Sequence, residues 1–365
     1  MKNRLHKLQA WMKEQNIEVS FLTSTENVFY LSGFYTTPHE RLLALVVFQE
    51  EEPFLVCPQM EIHDAKRAGW EHEIIGFSDI DQPWELINRA INNRLKTVNK
   101  VAIEKEHMNV ERYEQLSALF PHAASVSAEE KLRTLRMIKD EKELKIIEEA
   151  CALADYAIAV GCSEIAEGKT ELDVLNAVEY ALKKKGVTEM SFSTMVLTGV
   201  NAASPHGNPG QTKIKKGDLV LFDLGVVVDR YCSDITRTVA YGDINDKQKE
   251  IYDTVLKAQL AAIEASVPGV TAAEVDQSAR RIISEAGYGE YFPHRLGHGL
   301  GISVHEYPSL TETNPLIIEA GMVYTIEPGI YVPEVAGVRI EDDVFITSSR
   351  AKILTKFPKE LTIIR

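Results

Sequence analysis

Apolar residues recur at helical spacing at the start of the chain, where Leu5, Leu8, Trp11 and Met12 predict an amphipathic helix. Residues 19–22 (VSFL) then begin a strand, and residues 41–48 (RLLALVVF) and 53–57 (PFLVC) predict two more, separated by a turn at Glu50, Glu51 and Glu52. Residues 101–103 read as a further strand and 110–119 as a helix. This alternation predicts an α/β domain over residues 1–125. It carries no evident chemical constellation: His6, His63, His72, His107 and His122 are scattered, and surface positions are expected for them. A polar stretch from Ser127 to Lys145, rich in Glu and Lys at i,i+4 spacing, predicts a linker feeding a long exposed helix. A second domain is expected over residues 126–365.

The second domain repeats itself. Gly168-Lys-Thr-Glu-Leu-Asp173 parallels Gly269-Val-Thr-Ala-Ala-Glu274; both are helix starts, the second with the full S/T-x-x-E capping pattern. Each predicted helix ends at a glycine, Gly186 or Gly287, sixteen residues after its Thr. Downstream, residues 217–223 (GDLVLFD) parallel 321–327 (GMVYTIE), so an acidic residue closes an apolar strand in both halves. A pseudo-two-fold arrangement would bring Asp223 and Glu327 to a common centre.

That expectation draws attention to acids in apolar company. Residues 219–228 (LVLFDLGVVV) form an apolar strand holding one Asp, and an unpaired carboxylate there would cost several kcal/mol (about 2–7 for a lone polar group, more for a charge). A hairpin turning at Val228-Asp229 would set Asp223 opposite Asp234 on the returning strand, where two carboxylates repel unless a cation lies between them. Residues 293–306 (PHRLGHGLGISVHE) place His294, His298 and His305 among glycines that permit close backbone approach. Arg339 and Glu341 are two apart on a predicted strand and so point to one face. His206 sits in a loop punctuated by Pro and Gly. Four acids and a histidine, mostly oxygen donors, suit two divalent ions, with manganese favoured and cobalt, iron or zinc compatible.

Composition narrows the picture. A net charge of −14 argues against nucleic-acid backbone binding, which needs a basic face. Cys57, Cys151, Cys162 and Cys232 form no CxxC pair and fit free thiols in a reducing compartment. No apolar run of signal-peptide or membrane-spanning length is evident, so a cytoplasmic protein without a membrane partner is expected.

Together, LVLFDLG, SDITRTVAYG, HRLGHGLG…VHE, IEPGIY and GVRIED resemble the pita-bread metallopeptidases, which include methionine aminopeptidase, aminopeptidase P and proline dipeptidase (prolidase). The resemblance covers residues 130–365, and the first 125 residues resemble the smaller creatinase-like α/β domain of the aminopeptidase P and prolidase branch. It implies five metal ligands, with Asp234 and Glu341 bridging two ions, Asp223 and His298 holding one each, and Glu327 both ligating and shuttling a proton. It also implies that His206 and His305 hold substrate and stabilise the tetrahedral intermediate, and that His294 and Arg339 line the proline side. Arg339 is the expected grip on the substrate carboxylate.

All five ligand types are present, unlike in metal-free relatives such as creatinase. The run GEYFPHRLGHGLG…HEYPS is most similar to bacterial proline dipeptidases, which implies a small peptide substrate with proline second and a homodimer. In that dimer His39 and Arg41, in the loop YTTPHER, would cap the partner's pocket. The competing readings are an aminopeptidase P acting on longer peptides, a non-catalytic binding protein, and a metal-free creatinase-like hydrolase.

Overall fold

The early apolar runs become β1 (Val19–Leu22), β2 (Ala44–Phe48) and β3 (Phe54–Pro58) of a six-stranded sheet in the computed structural model, which describes residues 2–205 and 207–365. With β4 (Glu73–Phe77), β5 (Lys100–Ile103) and β6 (Ala124–Ser127) the order is β4-β3-β2-β1-β5-β6. The pairs β1–β2 and β2–β3 are antiparallel, while β3–β4, β1–β5 and β5–β6 are parallel. Strands β1 to β3 are buried at every position, because both sheet faces are covered. The helices of this unit are α1 (Lys2–Glu14), α2 (Thr25–Ser32), α3 (Ile62–Arg67), α4 (Pro83–Asn92) and α5 (Val110–Leu119), followed by α6 (Glu129–Met137).

The chain divides into two compact units at Arg136/Met137, eleven residues beyond the boundary expected near residue 125. The difference has a physical reason. Strand β6 completes the first sheet by pairing with β5, and Tyr30 Oη donates to the Leu135 carbonyl at 2.7 Å, so α6 belongs to that unit. The predicted linker is therefore helix. Nor is the helix after it exposed: α7 (Glu141–Glu164), capped by Asp140 and Glu143 in a reciprocal box, buries Ile147, Ala150, Cys151, Ala154, Ala157 and Ile158 along one face. Its charged positions had masked a 3.6-residue apolar stripe.

The second unit is built twice from one plan. In the first half, α7 and α8 (Glu171–Lys184) cover a sheet of order β19-β11-β8-β7. Its strands are β7 (Met195–Thr198), β8 (Leu219–Leu224), β11 (Ile235–Tyr241) and the terminal β19 (Ile363–Ile364), with β9 (Val227–Val228) and β10 (Tyr231–Cys232) forming a small hairpin. In the second half, α9 (Asp246–Ala265) and α10 (Ala272–Glu285) cover a sheet of order β13-β12-β14-β17-β18. Those strands are β12 (Gly297–Gly299), β13 (Glu306–Leu310), β14 (Val323–Ile326), β17 (Asp342–Ile346) and β18 (Ala351–Ile353); β15 (Gly329–Val332) and β16 (Ala336–Arg339) pair separately.

The repeat holds in detail. Helices α8 and α10 are each fourteen residues long, and both carry a complete capping box, Thr170 with Asp173 and Thr271 with Glu274. Paired glycines take left-handed backbone at matching places, with φ of 91° at Gly217 and 94° at Gly321. Each helix pair buries an aliphatic face on its sheet: Val174, Val178 and Leu182 against Val220 and Phe222, and Val275, Ala279 and Ile283 against Tyr324 and Ile326. Among the described residues, no helix is long and apolar enough to cross a membrane. All four cysteines are unpaired, and all but the half-buried Cys162 are buried.

Because Thr271 Oγ1 accepts the Glu274 amide at 3.1 Å while the Glu274 carboxylate accepts the Thr271 amide at 2.7 Å, Thr271→Ala removes half of this cap. A loss of about 1 kcal/mol is expected, lowering the thermal midpoint by about 2–4 °C in a domain of this size without changing activity. Calorimetry of the variant checks it, and an unchanged midpoint would show that the cap is not limiting.

Candidate metal centre

Asp223 lies on β8, and the strand that returns to pair with it is displaced from the expected register. The turn is at Asp229-Arg230, both in left-handed backbone (φ 43° and 73°), as a two-residue hairpin of the favoured twist requires. Asp223 consequently faces Thr236, two residues beyond Asp234. A two-residue step preserves the face, so Asp234 still reaches the same side from the break between β10 and β11.

His298 is the centre of β12, between two glycines. A Cβ on Gly297 would stand 1.9 Å from the Thr325 carbonyl oxygen, and one on Gly299 would stand 2.2 Å from that of Tyr307. Glycine is required here for close approach, and it lets the strand press against both neighbours. The His298 Nδ1 lies 3.1 Å from the Gly299 carbonyl, which assigns the ring proton to Nδ1 and turns the Nε2 lone pair to the acids. Nε2 is 3.3 Å from Glu327 Oε1 and 3.7 Å from Asp234 Oδ2. Glu327 follows β14, with Thr325 donating to its Oε1 at 3.1 Å. Glu341 occupies the break between β16 and β17, with Thr236 Oγ1 donating to Oε2 at 2.6 Å.

One donor atom each from Asp234, His298 and Glu341 lies within 4.8 Å of the others, and all three residues are buried. Asp223 and Glu327 line the same cavity, of about 430 Å³, with His294, His305 and Arg339. The five expected ligands, drawn from both halves of the repeat, therefore share one site.

Electrostatics show what the site demands. Burial, then the neighbouring Glu341 and Asp223, holds Asp234 well above the usual carboxylate range. Burial, then Glu327 and Asp223, does the same to Glu341. Glu327 is pushed up to about 7, mainly by burial and in part by Asp223, against the pull of Arg339. His298 is pushed down to about 3 by burial, with His305 and Arg295 adding to the effect. Asp223 Oδ1 and Asp234 Oδ1 are buried without a protein hydrogen-bond partner. Orphaned carboxylate oxygens around an imidazole lone pair are the donor set that divalent ions satisfy.

The groups behind these residues were less legible from sequence. The Arg339 guanidinium bonds Asp223 Oδ2, the Tyr331 hydroxyl (2.6 Å) and Thr236 Oγ1 (3.0 Å), leaving two of its five N–H donors for a ligand. Tyr331 Oη is also 3.0 Å from His294 Nε2. Asp343 accepts the Asp234 amide at 2.9 Å and the Cys151 thiol at 3.3 Å, and burial lifts its carboxyl to about 8. Asp342 binds Arg237 (2.7 Å) and Lys359 (2.5 Å). The run Glu341-Asp342-Asp343 is thus fully buried despite its three consecutive acids. His305 packs edge-on to His298, with ring centroids 4.2 Å apart. His206 lies outside the described residues. His39 and Arg41 belong to the other unit, where Arg41 pairs with Asp79 at 3.0 Å.

Comparison with known proteins agrees with this architecture. The pattern of metallopeptidase family M24 matches residues 145–348, and that of the creatinase/prolidase N-terminal domain matches residues 4–138. The Bacillus subtilis protein YkvY, provisionally assigned as a dipeptidase, is 57% identical over 99% of this chain and 100% of its own length. The prolidase from Pyrococcus horikoshii OT3 superposes with a TM-score of 0.91 at 39% identity, covering 98% of this chain and 99% of that one. An Xaa-Pro dipeptidase from Bacillus anthracis gives 0.93 at 33% identity, covering 99% of both. With matches spanning both units, the chain belongs to metallopeptidase family M24, a pita-bread enzyme with a creatinase/prolidase N-terminal domain.

Proposed function

We propose that this metallopeptidase hydrolyses the Xaa-Pro bond of dipeptides, using two divalent ions, manganese foremost, held by Asp223, Asp234, His298, Glu327 and Glu341. The convergence of these five residues in one cavity supports the reading, alongside the full-length likeness to prolidases. When bound, two divalent ions polarise the scissile carbonyl and lower the pKa of water.

The protein groups supply the rest. Glu327 takes a proton from the attacking water and delivers it to the proline nitrogen, which must be protonated to leave as C–N breaks. His305, beside His298, faces the carbonyl oxygen as charge develops there, and His206 is its proposed companion. A dipeptide carries a carboxylate just beyond the scissile bond. Arg339 keeps two N–H donors for it, and Arg295, which lines the cavity and bonds Ser309 Oγ at 3.3 Å, adds a second cation. His294 and Tyr331 border the same end. A cavity of about 430 Å³ lies near the small end of the about 300–1,000 Å³ usual for ligand sites, which suits a short substrate.

In a homodimer, His39 and Arg41 of one subunit would cap the pocket of the other and bar longer peptides. His39 stands exposed in left-handed backbone (φ 53°), and ion pairs from Arg41 to Asp79 and Glu40 stiffen the loop.

Three tests bear on this assignment. Protein stripped with chelator and resupplied with manganese should cleave Ala-Pro and leave Ala-Pro-Ala largely intact; preference for the tripeptide would indicate aminopeptidase P chemistry instead. Replacing His39 and Arg41 together by Ala should raise the tripeptide-to-dipeptide rate ratio, and an unchanged ratio would remove them from the pocket. The third test is thermal unfolding. Acids whose folded pKa is raised bind protons more tightly when folded, so the metal-free protein loses stability as pH rises from the ordinary 4.5 of Glu327 to its folded value of about 7, and to about 8 for Asp343. Manganese neutralises the ligand acids, Glu327 among them, so the gap in Tm between manganese-loaded and chelated protein should widen by several degrees between pH 5 and 7, whereas Asp343, which is not a ligand, contributes alike to both forms. The underlying free energy is on the order of 1.4 kcal/mol for each tenfold difference in proton affinity between folded and unfolded chain. A gap that stays constant or narrows would contradict this account of the cluster.

A further inference from the structure

The two halves of the second unit use the same backbone frame at the start of their second helix. In the first half, Ile214 N donates to Lys169 O (2.8 Å), Glu171 N to Thr212 O (3.1 Å) and Leu172 N to Gly210 O (3.3 Å). In the second half, Ile318 N donates to Val270 O (2.7 Å), Ala272 N to Leu316 O (2.8 Å) and Ala273 N to Asn314 O (2.9 Å). The frames correspond bond for bond, but where the first half has the carboxylate of Glu171 the second has Ala272. Both are fully buried.

A carboxylate is not needed to build the frame, since the second half does without one. Glu171 instead reaches across the segment between β7 and β8. Its Oε1 accepts the Thr198 amide (2.8 Å) and Asn201 Nδ2 (3.1 Å), and its Oε2 accepts the Gly210 amide (2.8 Å). These partners are neutral N–H groups at the two ends of residues 198–210, so one buried charge ties both ends together. The segment bears on the catalytic cavity, which Pro205 lines. Its first turn also presses on β16, the strand ending in Arg339: a Cβ on Gly337 would stand 1.6 Å from the Ala202 carbonyl oxygen.

We infer that Glu171 is a positioning residue that, by clasping Thr198, Asn201 and Gly210, holds Pro205 against the substrate cavity and so sets peptide affinity. This rests on the reading of the cavity as a peptidase site. Glu171 touches none of the five candidate metal ligands, so its loss should alter binding and leave the metal centre intact.

The test compares wild type with Glu171→Ala, Glu171→Gln and Asn201→Ala in full-length, manganese-loaded protein. Amide hydrogen exchange is read across residues 198–210 and, as an internal control, across residues 311–318 of the other half. In Glu171→Ala, exchange in 198–210 should rise by about tenfold or more, the effect of losing hydrogen bonds to a charged acceptor, with 311–318 unchanged. KM for Ala-Pro should rise about fivefold or more, and kcat should fall with it because His206, the proposed companion of His305, is joined to Pro205 in this segment, while manganese content stays close to wild type. Asn201→Ala, which keeps both backbone bonds, should shift the same quantities less. Should Glu171→Ala not fold, Glu171→Gln serves, since it keeps the size and one acceptor oxygen; intermediate changes are expected. Wild-type exchange in 198–210, or faster exchange with unchanged KM, would overturn the clasp. If wild type cleaved neither Ala-Pro nor Ala-Pro-Ala, the peptidase assignment would fall, and the exchange data alone would decide for or against the clasp.

Discussion

Carboxylate repulsion among acids buried around one cavity is the constraint around which the second unit is organised. Asp223, Asp234, Glu327 and Glu341 line one cavity with the His298 imidazole among them, and burial together with their mutual repulsion raises Asp234, Glu327 and Glu341 above their ordinary ionisation. No arrangement of uncharged neighbours relieves four such groups. Cations or bound protons do so, and the protein supplies two cations, the Arg339 guanidinium at Asp223 and Arg295 on the cavity wall, while leaving other carboxylate oxygens without a protein hydrogen-bond partner.

The surrounding fold can be read as a support for that cluster. Each half of the repeat delivers acids at the ends of apolar strands, where the backbone is fixed by sheet pairing and the side chain points away from the helix layer. Thr236 and Thr325 orient individual carboxylate oxygens, and Asp343 holds the Asp234 backbone. Asp342, by contrast, faces away and is neutralised by Arg237 and Lys359, tying the C-terminal segment to the same strand. Adjacent acids in sequence thus have unlike tasks, because successive residues of an extended chain face opposite sides.

The two halves are not equivalent in what they add to the shared frame. The first half holds a buried carboxylate at Glu171, where the second has Ala272, and that carboxylate accepts from Thr198 and Gly210 on either side of Pro205, which lines the cavity. A symmetric scaffold with asymmetric additions can hold the ions at its centre and shape the substrate pocket to one side.

Much of this was present in residue order alone. The capping patterns at Thr170 and Thr271, the matching glycines and the acid at the end of each apolar strand describe the repeat, because helix starts, left-handed turns and buried strands each demand particular residue types locally. Asp223 stood out for the same reason, since a lone acid in an apolar strand needs an explanation, whereas the full candidate ligand set came from the family resemblance. Register was not legible: Asp229-Arg230 lacks the glycine that usually marks such a turn, and only pairing with β8 decided that Asp223 faces Thr236. The domain boundary, the buried face of α7, the hold of Arg339 on Asp223 and Tyr331, and the reach of Glu171 to Gly210 were likewise settled in three dimensions. Each joins residues far apart in the chain, and only packing, not local preference, brings such partners within a hydrogen bond's length.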